Sequence, residues 1–418
     1  MLIFERDSWQ EIFATIRKNK LRTFLTMLGV FWGIFMLVIM LGSGNGLRNG
    51  IMNGFAGTAT NSFFMWTQQT SKAYKGMKPG RNFNFTMSDA EALRQIPELD
   101  VVGPLNQLGG HGGANNAVRG LKTGACGIQA CYPDITKIQE VNIVKGRFIN
   151  EFDIKEKRKI CVIGPRVVEL LFKKDETILG EYIRVNGVYF KVVGITNPTA
   201  SGQDGQEQAL RINIPFTTFQ NAFNYGDIVG WFAIKSKDNI PAEISEEKVL
   251  SLMKVRHKIA PDDLAAIGHW NMAIEYKKLN GLFTGISLLI WIVGTGTLLA
   301  GVIGISNIML IVVKERTKEI GVKRALGALP VQIISQILIE TIFLTAISGY
   351  LGLVAGIGLL ELLNSAIGNS GEMFSNPTVD LSVALKALTI LIVGGALAGL
   401  IPAIKSVSIK PVEALRSE

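Results

Sequence analysis

Histidine and cysteine are both scarce in this chain, each occurring three times in 418 residues. His111, His257 and His269 lie far apart and show none of the ligand spacings that hold zinc. Nor is there a Gly-x-x-x-x-Gly-Lys-Ser/Thr phosphate loop, a Gly-x-Ser-x-Gly elbow or a His-Glu-x-x-His helix. The sequence therefore predicts no catalytic residue, no metal site and no cofactor of its own. Charge is thin as well, 18% of residues against 48% hydrophobic ones, with a mean hydropathy of +0.30. That balance is too apolar for an ordinary soluble domain of this length.

The apolar excess is concentrated in four blocks, Thr23 to Leu47, Leu282 to Val313, Val331 to Leu360 and Ala387 to Ile404, and only Glu340 brings a charge into any of them. Each reaches the roughly 18 to 20 residues needed to cross about 30 Å of hydrocarbon. Glu340, ten residues after the turn at Gly327 to Pro330, reads as an intramembrane polar residue near one interface, paired at a helix contact rather than serving as a proton relay. The run from Gly281 to Val313 would be about 48 Å long as one helix, so it is expected to tilt or to project as a stalk. Gly294, Gly296, Gly301 and Gly304 within it suit close helix packing.

Lys and Arg flank these blocks unevenly. Arg6, Arg17, Lys18, Lys20 and Arg22 precede the first; Lys314, Arg316, Lys318, Lys323 and Arg324 separate the second and third; Lys405, Lys410 and Arg416 follow the fourth. The connection from Asn364 to Leu381 has Glu372 and Asp380 and no basic residue. By the positive-inside rule both termini are expected in the cytoplasm and the long first connection outside. The net charge of +9 is taken up by these anchors, which leaves no reason to expect a nucleic-acid partner. The expected fold is an α-helical membrane protein with four transmembrane helices and a mixed α/β extracytoplasmic domain between helices 1 and 2. The expected segments are an amphipathic surface helix 1–22 retained as an anchor, spans 23–47, 281–313, 330–363 and 383–404, an outer domain 48–280, connections 314–329 and 364–382, and a tail 405–418.

Within the outer domain, strands are expected at Asn142 to Phe148, Lys159 to Ile163 and Arg211 to Pro215, with a hairpin of Tyr182 to Val185 and Phe190 to Val193 turned at Asn186-Gly187. Helices are expected at Pro165 to Phe172, Thr217 to Phe223 and Ile244 to Lys258, with a new helix start at Pro261-Asp262-Asp263-Leu264. Thr70 to Asn84, Leu108 to Asn116 and Thr199 to Gln208 read as loops. Cys126 and Cys131 are close enough in sequence for a small disulfide loop; buried free thiols are the other reading.

The densest polar run is Glu315-Arg316-Thr317-Lys318-Glu319-Ile320-Gly321-Val322-Lys323-Arg324-Ala325-Leu326-Gly327-Ala328. Its spacing predicts a short charged helix with Glu315 and Glu319 on one face, ended by Gly327. The order of these residues closely resembles the loop motif of the FtsX-like, MacB-type permeases of ABC transporters. Asn19 to Gly29 resembles the family's entry into the first span and Ile401-Pro402-Ala403 with Lys410 to Arg416 its C-terminal signature, while Lys145-Gly146-Arg147-Phe148, Cys161 to Gly164, Leu179-Gly180-Glu181 and Phe190 to Gly194 resemble its outer core domain. The resemblance implies an ABC ATPase on another polypeptide that binds ATP and Mg, contacts the loop through Glu315, Arg316, Lys318, Glu319, Ile320, Gly321, Lys323 and Arg324, and drives the outer domain by mechanotransmission. It also implies a second permease copy, as homodimer or heterodimer, and a periplasmic adaptor with an outer-membrane exit duct. A mechanical regulator of a cell-envelope hydrolase, or a lipoprotein-releasing permease, would use the same parts.

Overall fold

The computed structural model describes residues 20–55, 57–109, 115–174, 176–200, 202–367 and 374–407. Residues 1–19 of the expected surface helix 1–22, His111, Glu372 and the Lys410 to Arg416 stretch lie outside the described residues. In chain order the elements are α1 (Lys20–Asn53), β1 (Ser62–Thr67), β2 (Phe85–Thr86), α2 (Met87–Arg94), β3 (Leu99–Gln107), β4 (Asn115–Arg119), β5 (Lys122–Cys131), β6 (Asn142–Gly146), α3 (Glu151–Lys155), β7 (Ile160–Ile163), α4 (Pro165–Leu171), β8 (Tyr182–Val185) and β9 (Val188–Asn197). There follow α5 (Gly202–Ala209), β10 (Arg211–Pro215), α6 (Phe216–Ala222), β11 (Ile228–Val229), β12 (Trp231–Ser236), α7 (Ala242–Arg256), β13 (Ile267–Asn271), α8 (Met272–Glu315), α9 (Thr317–Ala325), α10 (Pro330–Ile367) and α11 (Leu381–Val407). The chain divides into a helical unit, residues 1–50 with 282–418, and a β-rich unit, residues 51–281.

In the helical unit, α1, α8, α10 and α11 are each long and apolar enough to cross a membrane. Their shared core includes Val30, Ile34 and Leu37 of α1, Leu298 and Ile305 of α8, Ile337 of α10 and Leu391 of α11. Without a hydrophobic drive in lipid, such helices depend on close packing at small residues. A Cβ on Gly352 would stand 2.6 Å from the Phe31 carbonyl oxygen, so only glycine lets α1 and α10 approach there. Of the four glycines singled out in α8, Gly294 meets Leu37 and Gly301 meets the Gly29 carbonyl, while Gly296 and Gly304 face open space. α8 itself is one continuous helix of 44 residues whose first ten, Met272 to Gly281, belong to the β-rich unit.

Among the described residues the β-rich unit is built on one eleven-stranded sheet, with β2 and β11 paired separately. β5, β10, β7, β9, β8 and β4 pair in that order, and β4 returns to β5, closing a small barrel. The run β3-β12-β1-β13 stays open, with α2 packed on β3 and α7 on β13, β1 and β12. β8 and β9 form the expected hairpin; Asn186 (φ +43) and Gly187 (φ +90) supply the two left-handed residues that a two-residue turn requires.

Two expectations are corrected, and the alternative left open for the cysteines is decided. Pro261 to Leu264 starts no helix, because Asp263 is fully buried and accepts from the Ser71 amide and hydroxyl, both at 2.8 Å, from the Lys72 amide at 3.2 Å and from the Ala265 amide at 3.1 Å. It ties down the Thr70 to Asn84 loop instead of capping a helix. Gly202–Ala209 is helical rather than loop; Gln208 Oε1 accepts from the Thr199 amide at 2.9 Å and fixes the turn before it. Cys126 and Cys131 form no disulfide. Both are buried free thiols five residues apart on the one extended strand β5, a span of roughly 16 Å, whereas a disulfide needs Cα atoms about 4.4 to 6.8 Å apart.

Candidate docking site between the second and third long helices

α8 ends at Glu315, and Arg316 (φ −89, ψ 10) breaks the helix before α9 begins at Thr317. A break leaves carbonyls without helical donors; here the Thr317 hydroxyl donates to Lys314 O at 2.7 Å and to Val313 O at 3.2 Å. Arg316 Nε and Nη2 both donate to Glu319 at 3.1 Å, and Nη1 donates to Glu340 Oε2 on α10 at 3.2 Å. The Glu340 side chain is only 5% exposed, so its charge is matched from across the break. Lys323 adds a contact of 3.5 Å to Glu319. Beside Arg316 the Glu319 carboxyl is held below its ordinary value, against the effect of burial and with help from Lys323.

α9 is held from its other side as well. Ile320 is buried in the core with Met309, Val313, Ile333 and Ile337, and Gly321 is buried next to it. Arg324 Nη1 donates to Val407 O at 2.5 Å, satisfying a terminal carbonyl of α11 where cations are favoured. Gly327 (φ +99) ends the helix in the left-handed region, with Ala328 N donating to Lys323 O at 3.0 Å.

The eight residues expected to contact a partner therefore separate. Glu315 and Lys318 are exposed, Glu319 is half-exposed, Arg316, Lys323 and Arg324 are partly buried by the bonds above, and Ile320 and Gly321 are buried. Glu315 and Glu319 do not share a helical face, because the break at Arg316 falls between them. The charge pattern did not mark the apolar residues Val322, Leu326 and Leu329, all of which are exposed. Val322 and Leu326, four apart, carried the one available signal: an apolar pair off the Ile320 face. Among the described residues no cluster of three or more His, Cys, Asp or Glu side chains is placed to hold a metal ion.

Residues 23–251 match the MacB-like periplasmic core domain, and residues 291–411 match the FtsX-like permease C-terminal. The chain belongs to the MacB-type, FtsX-like permease family. This MacB-like permease is 28% identical to the macrolide export ATP-binding/permease protein MacB of Vibrio parahaemolyticus serotype O3:K6 over 412 residues, 98% of this chain and 60% of the relative. It is 30% identical to the MacB of Bdellovibrio bacteriovorus over 97% of this chain and 61% of that protein. The pyoverdine export ATP-binding/permease protein PvdT of Pseudomonas syringae pv. syringae is 28% identical over 99% and 61%. The permease thus spans about three fifths of the length of these relatives. The solved periplasmic region of MacB from Actinobacillus actinomycetemcomitans is similar at 18% identity and a TM-score of 0.43, over 54% of this chain and 94% of that one. The MacB-like permease is a multi-pass membrane protein in which α9 falls inside the FtsX-like match and residues 51–251 of the β-rich unit fall inside the core-domain match.

Proposed function

We propose that this permease works in an ABC export machine, with an ABC ATPase as the motor and α9 as the element on which that ATPase bears. The observation that carries the reading is the set of bonds around α9: Arg316 joins it to Glu340 of α10, Arg324 joins it to the end of α11, and Thr317 joins it to the end of α8. A push on so held a helix reaches three long helices at once. α8 continues without a break into the β-rich unit, so ATP-driven motion passes along it by mechanotransmission and no closed channel through the helices is needed. In this reading the termini and α9 are cytoplasmic, the β-rich unit is periplasmic, and the inner membrane holds the helices. The chain itself is non-catalytic; ATP and Mg are bound by the motor. A second permease copy, a periplasmic adaptor and an outer-membrane duct complete the assembly. Relatives carry the names of macrolide and pyoverdine exporters, which supports an efflux role for this chain.

The test is co-purification in detergent with the ABC ATPases of the host, followed by ATP hydrolysis. Leu326→Asp, at an exposed position outside the bonded set, is expected to reduce ATPase capture at least tenfold without changing the permease's own melting temperature. Undiminished capture by that variant would remove α9 as the docking element.

A further inference from the structure

The β-rich unit carries a polar cleft of its own. β5 and β10 run parallel with Asn213 opposite Gln129 and Arg211 opposite Gly127. Alternate residues of a strand face the same way, so Arg211, Asn213 and Gln129 make a polar row on one face while Ile212, Ile214, Ile128 and Ala130 fill the core from the other. The row opens into a cleft walled by Ile135 and Phe148 and rimmed by Glu140.

Gln129 is only 9% exposed, which is unusual for an amide in mid-strand unless its hydrogen bonds are met. Among the described residues, its side chain and those of Arg211 and Asn213 make no hydrogen bond or ion pair with the protein. Arg211 is mostly buried, and burial pushes its guanidinium below the ordinary value, opposed chiefly by the more distant carboxylates of Glu207 and Asp204. A desolvated cation with no adjoining counter-ion is costly to keep. Both features have one explanation if an anion enters from the cleft.

We propose that the cleft binds the carboxylate of a small molecule, with Arg211 as its bidentate partner and the Gln129 and Asn213 amides donating beside it. The planar guanidinium fork matches two carboxylate oxygens. A single cation with neutral amides, and the Glu140 carboxylate at the rim, disfavour a doubly charged phosphate. Ile135 and Phe148 accept a short apolar or aromatic part next to the carboxylate. The site stands whether or not the permease is an exporter.

The experiment titrates sodium benzoate into the full-length protein in detergent, with benzamide and inorganic phosphate as controls, by calorimetry and thermal unfolding. Benzoate is expected to bind saturably at one site per chain and raise the melting temperature, and benzamide is expected to do neither. Arg211→Met is expected to weaken benzoate binding at least tenfold while leaving the ligand-free melting temperature unchanged or higher, since it removes an uncompensated charge. Gln129→Leu keeps the cation and is expected to weaken binding severalfold; it serves as the test if Arg211→Met does not fold. Absence of saturable benzoate binding, phosphate binding as tight as benzoate, or full affinity in both variants would overturn the assignment.

Discussion

Arg316 meets both Glu319 on the short helix that follows it and the buried Glu340 on α10. Removing the arginine leaves a carboxylate nearly out of water, and breaking such a pair costs roughly 3 kcal/mol. Arg316→Ala is therefore expected to lower the melting temperature in detergent, and Glu340→Gln added to it is expected to recover most of the loss; failure of the second change to recover it would show that the arginine acts through something else. A similar cluster lies in the β-rich unit, where Asp89 accepts from Arg256 Nε at 2.7 Å, His257 Nε2 at 2.9 Å and the Thr86 amide at 2.9 Å. Burial alone would raise the Asp89 carboxyl, but His257, Arg256 and Thr86 together hold it far below its ordinary 3.8. With the folded value depressed, Asp89 contributes stability above about pH 4 and loses it progressively as the pH falls further. Asp89→Asn is accordingly expected to be less stable than the parent at neutral pH and to lose less stability between pH 5 and pH 2, read from denaturant unfolding across that range. Parallel curves would assign the acid sensitivity to other groups.

At the scale of elements, the start of α8 is tied down by side chains of the β-rich unit. Glu246 of α7 is buried and accepts from His269 Nδ1 at 2.7 Å and Asn271 Nδ2 at 2.6 Å. The Asn271 oxygen accepts from the amides of Ala273 at 2.9 Å and Ile274 at 3.3 Å, capping the long helix. Asn271→Ala removes both functions, with an expected cost of about 1 to 2 kcal/mol from the cap alone. Hydrogen exchange at the amides of Met272 to Glu275 is expected to accelerate in this variant while the strands of the barrel keep their protection. The glycines show the same dependence on partners: Gly294 and Gly296 look equivalent in the sequence, yet only Gly294 has a neighbour at contact distance. Spacing says where a small residue stands on its own helix. It does not say which helix comes to meet it.

For the molecule as a whole, the proposed orientation has a direct test in cysteine labelling. The native thiols do not interfere: burial raises Cys126 to about 11 and Cys131 to about 12, and pushes Cys161 up as well, so none carries much reactive thiolate. Leu121, at the tip of the β4-β5 hairpin, and Leu326, at the end of α9, are both strongly exposed. In spheroplasts, Leu121→Cys is expected to react with a membrane-impermeant maleimide, and Leu326→Cys only after permeabilisation. The opposite pattern would invert the topology and put α9 out of reach of a cytoplasmic ATPase. The four membrane helices, the large domain after the first of them and the short charged helix between the second and third were all legible in the sequence, because long uncharged runs and a specific residue order are local properties of the chain. The β8-β9 hairpin was legible for the same reason, through Asn186-Gly187. Barrel closure through β5 and β10, the free state of Cys126 and Cys131, the pairing of Arg316 with Glu340, the burial of Ile320 and the unpaired Arg211 facing its cleft were settled only by the tertiary structure. Each depends on contacts between residues distant in the chain, whose energies are set by what a side chain is packed against and not by its neighbours in sequence.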